Sequence, residues 1–255
     1  MKPVEVTQGT GPLVLGRPHT GTYVPDEMAA ALNTTGRALA DTDWHIDRLY
    51  DGLGSDPTIV RATFHRYVID ANRDPSGASL YPGQNTTGLC PLTDFDGRPI
   101  YKEGQEPDER EIKRRRETYH TPYHAALSAE LERVKSLHGV AMLYDCHSIR
   151  SQIPFLFEGQ LPIFNIGTNN GTTCAKNIEL AALEFAHSSP YETVLNGRFK
   201  GGWTTRHYGQ PDNGIHAIQM EIAQRAYLTE EAPPWEYNEG KAQKLRRWLG
   251  DIVLA

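Results

Sequence analysis

A chain of 255 residues with 26 basic and 32 acidic side chains carries a formal net charge of −6. Its composition, 38% hydrophobic and 23% charged, is too polar for a membrane protein and too varied for a fibre or a coiled coil. The acidic balance argues against general nucleic-acid binding, which needs basic excess. The length suits one large α/β domain or two small ones. The opening residues Met1-Lys2-Pro3-Val4-Glu5-Val6 lack the apolar stretch and cleavage site of a secretory signal. No apolar run approaches the ~20 residues that span a bilayer. Cys90, Cys146 and Cys174 form neither a CxxC pair nor an even disulfide framework, so buried thiols in a reducing cytoplasm are expected.

In chain order, short apolar runs at 13–15, 58–64, 67–69, 140–144, 162–166, 193–195 and 216–222 predict strands covered on both faces. Helical spacing predicts helices over 46–53, 108–137, 174–187 and 239–253, the second kinked or split at Pro122. This alternation predicts an α/β sandwich, with a mixed, mostly parallel sheet flanked by helices in one domain spanning 1–255. Two stretches rich in turn residues, 72–107 (including Tyr81-Pro82-Gly83-Gln84-Asn85) and 199–214, are read as active-site loops.

Ligands of open α/β sheets bind at the carboxyl ends of strands, and several runs here finish in chemically capable residues. They include Arg17-Pro18-His19-Thr20-Gly21, Ile69-Asp70-Ala71-Asn72-Arg73 and Tyr144-Asp145-Cys146-His147-Ser148. Two histidines and a carboxylate make a common open zinc site. His19 and His147 are the candidate histidines and Asp43 the candidate third ligand, with Asp41 and His45 as alternatives. A helix N-cap is the structural reading of Asp41 or Asp43. Glu221, between Met220 and Ile222, is costly in an apolar strand unless functional or facing water on a one-sided strand. Facing a site, burial would raise its pKa and suit it to general base work. Arg73 offers a fork for a carboxylate, or an ion pair to Asp70 or Asp74. Arg206 sits among glycines that let backbone approach a ligand, with His207 beside it. His120 and His124 are four apart, but Thr121 stands where an HExxH motif has Glu, and packing or hydrogen bonding behind a site fits them better. The charged run 109–117 interleaves acids with bases and reads as a solvated helix face.

Five segments in order resemble the N-formylglutamate amidohydrolase (deformylase) family. They are Pro18-His19-Thr20-Gly21, the stretch from Asp41-Thr42-Asp43-Trp44-His45 to Tyr50, Arg66-Tyr67-Val68-Ile69-Asp70-Ala71-Asn72-Arg73, Asp145-Cys146-His147-Ser148-Ile149-Arg150, and Gly201-Gly202-Trp203-Thr204-Thr205-Arg206-His207-Tyr208-Gly209. The resemblance runs from about residue 12 to about residue 230. Thr20 stands where Ser is usual, Trp203 where Tyr is usual, and Pro162-Ile163-Phe164-Asn165 departs from the common pattern. The resemblance implies a phosphorylase/hydrolase-like, zinc-exopeptidase-like fold. It implies metal-dependent hydrolysis of N-formyl-L-glutamate to formate and L-glutamate, a step of histidine degradation. By analogy with zinc carboxypeptidases, His19, Asp43 and His147 would hold a divalent metal, with zinc expected. Glu221 would be the base and Asn72-Arg73 would bind a carboxylate; Arg206 is expected on the second carboxylate, with His207 lining the site. A related amidohydrolase acting on another N-acyl amino acid, or a non-catalytic binder of acidic amino acids, are the alternatives.

Overall fold

The computed structural model describes residues 1–80 and 83–254; Tyr81 and Pro82 of the first predicted loop lie outside the described residues. Among the described residues, seven strands form one sheet: β1 (Val4–Thr7), β2 (Leu13–Arg17), β3 (Thr58–Ala62), β4 (Ala141–Ile149), β5 (Phe164–Gly167), β6 (Thr193–Leu195) and β7 (Ile215–Ala223). Their spatial order is β1-β3-β2-β4-β7-β5-β6. β1 with β3 and β5 with β7 pair antiparallel, while the β2–β3, β2–β4, β4–β7 and β5–β6 pairs are parallel. The sheet is therefore mixed and mostly parallel.

The helices are α1 (Asp26–Ala31), α2 (Thr34–Arg37), α3 (Ile46–Leu49), α4 (Glu109–Arg115), α5 (Thr121–His138), α6 (Lys176–His187), α7 (Trp203–Tyr208) and α8 (Glu239–Leu254). They flank the sheet because alternate strand residues point to opposite faces. Val14, Leu143 and Ala217 pack with Tyr123, Leu127 and Leu131 of α5. Leu15, Tyr144 and Ile218 pack on the other face with Ala182 of α6, Leu245 and Leu249 of α8, and Leu49 of α3. The central strands are covered on both sides, which is why they read as continuous apolar runs.

The structure departs from the sequence expectation in several places. Residues 67–69 are buried but form no strand, the chain turning at 66–68. The His65 ring accepts the Tyr67 amide N–H at 3.0 Å, a local bond that competes with ladder pairing. The break near Pro122 takes the form of a π-helical turn, Arg116–His120, after which α5 starts with proline in its first turn. Proline has no N–H to donate into the preceding turn, and the change of helical spacing falls just before it. The charged run is not wholly a solvated face. Arg115 is buried, bonded to Glu111 and to the Tyr101 hydroxyl. Within 199–214 a short helix, α7, replaces the expected irregular loop. The three cysteines are free and buried, as expected. Among the described residues, no helix is long and apolar enough to cross a membrane.

Candidate metal and active site

The site grows out of the same strand periodicity that builds the core. On the α5 side of the sheet, β4 presents Ala141, Leu143, Asp145 and His147, and β7 presents Ile215, Ala217, Gln219 and Glu221. The first two of each set pack against the apolar layer. The last two are polar and buried, and register pairs Asp145 with Gln219 and His147 with Glu221. His147 and Glu221 thus lie inside their strands rather than beyond the ends. Glu221 does not face water. It is 7% exposed and lines a cavity with His19, Asp43, Arg66, Asn72, Arg73, His147 and Gln219.

His19 follows β2, and its carbonyl accepts the Asp43 amide N–H at 3.1 Å, which fixes the 41–45 turn against the strand end. Asp43 does not cap a helix. Its Oδ2 lies 3.1 Å from His147 Nδ1 and accepts the Ser148 amide N–H at 3.2 Å. Asp41 faces elsewhere, accepting the Tyr67 hydroxyl and the Phe95 amide, and burial raises it to about 6. His45 adopts a left-handed backbone (φ 58°), and its Nε2 bonds to the Trp235 carbonyl at 2.7 Å. Among the described residues, His19, Asp43 and His147 are the group whose ligand atoms converge as a metal site requires.

The donor set fits a divalent cation. His19 Nδ1 lies 3.1 Å from His147 Nδ1 and 3.7 Å from Asp43 Oδ2. Tetrahedral ligands at zinc bond lengths stand about 3.3 Å apart. Both imidazoles are backed by carboxylates, the usual support of metal-binding histidines. His19 Nε2 lies 2.7 Å from Asp70 Oδ1, and His147 Nε2 lies 3.2 Å from Asp145 Oδ2. Arg66 Nη2 comes within 2.6 Å of His19 Nδ1. Arginine only donates and an ionised aspartate only accepts. The tautomer that suits Asp70 carries its proton on Nε2 and leaves one lone pair on Nδ1, which either the Arg66 guanidinium or a cation can take.

Charge in the site is concentrated and dry. Burial alone would raise Asp43, but His147 and His19 hold it below the usual carboxylate range. Burial alone would lower His147, but Asp145 and Asp43 hold it well above the usual range. Burial pushes Glu221 up to about 8. The Arg66 guanidinium is buried beside Asp70, within 4.8 Å of the Phe95 ring, and its Nε has no partner among the described residues.

Asn72 and Arg73 reach the site as expected. Asn72 Nδ2 lies 3.0 Å from His147 Nε2, and its Oδ1 accepts the Thr204 amide at 2.9 Å. Gly202 is obligatory there, since a Cβ would sit 2.3 Å from Asn72 Nδ2. Arg73 lines the cavity while donating to the Thr87 carbonyl and hydroxyl, and it lies 3.7 Å from Asp70. Arg206 and His207 are not brought into this cavity. Arg206 donates to the Gly201 carbonyl and lines an adjoining cavity, and His207 stacks on Trp203 at 4.2 Å. The arginines that join Arg73 on the wall are Arg66 and Arg198. Sequence reasoning missed Arg66, Asp145, Gln219 and Arg198 as site residues. Asp145 and Gln219 stand two residues before His147 and Glu221, the spacing that shares a strand face.

The profile of N-formylglutamate amidohydrolases matches residues 11–228. The chain belongs to the N-formylglutamate amidohydrolase family. Family relatives include the N-formylglutamate deformylase of Pseudomonas aeruginosa PAO1, 45% identical over 251 residues, which are 96% of this chain and 92% of that protein. The N-formylglutamate deformylase of Pseudomonas putida is 46% identical over 252 residues, 97% of this chain and 93% of that one. The crystal structure of N-formylglutamate amidohydrolase from Ralstonia eutropha JMP134 shares the architecture, with a TM-score of 0.82 at 27% identity, covering 100% of this chain and 96% of that one.

Proposed function

We propose that this chain is one cytoplasmic amidohydrolase domain over 1–255 that cleaves N-formyl-L-glutamate to formate and L-glutamate in histidine degradation. The observation that carries the reading is the convergence of His19, Asp43, His147 and Glu221 in one cavity of a chain of this family. The donor set at the carboxyl ends of β2 and β4 supports a phosphorylase/hydrolase-like, zinc-exopeptidase-like description of the fold. Free buried cysteines support the compartment.

His19, Asp43 and His147 would hold a divalent cation, zinc by its taste for nitrogen and oxygen ligands. When bound, such an ion polarises a carbonyl and lowers the pKa of water toward ~7. Glu221 takes the proton of the attacking water as it adds to the formyl carbon, and returns it to the amide nitrogen as the C–N bond breaks. A carboxyl poised near neutrality suits both transfers. Arg66 donates to the oxygen on which negative charge develops, in a water-poor site where such a bond counts for most. Asn72 and Arg73 hold one substrate carboxylate. Arg198 on the cavity wall faces the second, with Arg206 in the adjoining cavity adding positive potential and His207 bracing that segment through Trp203. The protein's net charge repels a dianionic substrate, so these local guanidiniums must supply the attraction.

The test is formate release from N-formyl-L-glutamate by purified protein, with and without a chelator. Chelator-sensitive release is expected. Tight glutamate binding with no formate release would instead make the chain a binding protein. A panel of N-formyl and N-acetyl amino acids across Arg198→Ala and Arg206→Ala separates the two arginines. The larger loss of preference for acidic substrates is expected in the former.

A further inference from the structure

His120 and His124 lie outside the metal cluster, yet both are buried and face the loop that carries Asn72 and Arg73. His120 closes the π-helical turn Arg116–His120, and His124 lies one turn into α5. His120 Nε2 stands 3.0 Å from the Arg73 carbonyl, and His124 Nε2 stands 2.8 Å from the Ala71 carbonyl. The two bonds therefore grip the backbone on either side of Asn72. The Asn72 side chain points the other way, to His147 Nε2 and the Thr204 amide. A carbonyl only accepts, so each imidazole donates from Nε2. The Tyr208 hydroxyl sits 3.0 Å from His124 Nδ1 and occupies the second nitrogen of that ring.

The same pair also contacts Trp203, next to the cavity-lining Gly202. Trp203 lies edge-on to His124 at 4.6 Å, with His120 at 5.7 Å, and His207 stacks on its far side at 4.2 Å. Trp203 directly follows Gly202, whose amide donates to Gln219 Oε1 at 2.6 Å, and Gln219 Nε2 donates to Glu221 Oε2 at 3.3 Å. π-Helical turns occur mostly as single interruptions of α-helices and frequently at functional sites. Here the wide turn ends on the residue that reaches Arg73.

We infer that His120 and His124 are positioning residues: through the carbonyls of Arg73 and Ala71 and the face of Trp203, they set Asn72 and Arg73 against His147 and the base-bearing strand. Neither touches substrate; their effect passes through Arg73 to carboxylate binding. The inference rests on the proposed reaction only for the substrate used to score it.

The experiment compares His120→Leu, His124→Leu, His120→Gln and His124→Gln with the wild type. It measures kcat and KM for N-formyl-L-glutamate, inhibition by L-glutamate, thermal unfolding, and hydrogen exchange at the amides of Asn72, Gly202 and Thr204. Glutamine keeps a donor near the histidine Nε2 position; leucine does not. The leucine variants are expected to raise KM and the glutamate inhibition constant about tenfold, with kcat within about threefold of wild type. Exchange at the three amides should quicken about tenfold, and the glutamine variants should return both readouts toward wild type. A folded leucine variant with unchanged KM and unchanged exchange overturns the inference. So does a glutamine variant as impaired as the leucine one. If a leucine variant fails to fold, His120→Asn, one methylene too short to reach the carbonyl, carries the same comparison against His120→Gln. Wild-type protein that releases no formate would refute the reaction but not this inference, which the exchange rates then decide alone.

Discussion

Replacing Asp70 by Asn removes one negative charge and changes almost no volume, yet Asp70 touches four of the residues the site depends on. Its Oδ1 faces His19 Nε2 at 2.7 Å and accepts the Asn72 amide at 2.8 Å. Its Oδ2 faces Arg66 at 3.3 Å and Arg73 at 3.7 Å. The carboxylate is buried, and although burial opposes ionisation, Arg73, His19 and Arg66 hold its pKa well below the usual range. An asparagine best keeps its oxygen toward His19 and Asn72, which turns its NH2 against two guanidiniums. His19 then keeps its tautomer but loses the negative partner that would make it a basic ligand. Loss of such a partner costs about 10–100-fold in metal affinity, or about 1.4–2.7 kcal/mol. Arg66, left facing an amide, should add about 3 kcal/mol of lost stability, the low end for breaking a buried ion pair. Competition of zinc between the protein and a chromophoric chelator measures the first effect, and denaturant unfolding the second. Zinc affinity within threefold of wild type in folded Asp70→Asn would refute the claim that Asp70 supports a ligand.

Glu221→Gln should retain zinc and substrate binding while kcat falls by about 10²–10⁴; near-normal turnover would remove Glu221 from the role of base. Arg66→Met should lower kcat by about 10²–10³, more than it changes KM, if the guanidinium meets the developing oxyanion; a pure KM effect would assign it to substrate binding instead. Gly202→Ala forces a methyl group into Asn72 Nδ2, so activity should fall with little change in zinc content, and a fully active alanine variant would contradict the described packing. Burial lowers His124 to about 3. Between about pH 3 and 6.5 the unfolded chain holds a proton on His124 that the folded chain lacks, so this residue's contribution to stability falls as pH drops. Wild type should therefore lose about 1.4 kcal/mol per pH unit relative to His124→Gln between pH 6.5 and 4.5, measured by urea unfolding. A pH-independent difference would show that His124 takes up its proton in the fold as readily as in the unfolded chain.

The central strands and the helices α5, α6 and α8 were legible because their apolar spacing is the cause of their burial. Glu221 was legible for the complementary reason, since an ionisable group inside an apolar run demands a partner or a task, and His147 because it follows the end of an apolar run. Their neighbours Asp145 and Gln219 carried the same signal at a spacing of two, but read as strand ends they lost their face. The edge strand β1, with residues Glu5, Val6 and Thr7 exposed, gave no apolar run to detect. Asp43 competed with Asp41 and His45 until the left-handed residue at His45 and the Tyr67 hydroxyl on Asp41 separated the three. Arg66 and Asp70 sit four apart in a turn shaped by the His65 ring, and nothing in local spacing distinguishes such a pair from a surface ion pair. That Arg198 rather than Arg206 lines the cavity reflects the path of the 197–209 segment, where the short helix α7 carries Arg206 into the adjoining cavity.

The shared face of β4 and β7 makes folding and catalysis depend on one register. A slip of β7 by a single residue would turn Gln219 and Glu221 into the layer of Leu245 and Leu249 and set Met220 opposite His147. A carboxylate placed there without partners costs several kcal/mol, a large part of a domain's whole stability. A slipped sheet is thus disfavoured by the very residues that would do the chemistry, and folded but misregistered protein does not accumulate. Specific activity at constant metal supply should then follow the folded fraction in proportion through partial denaturation and recovery.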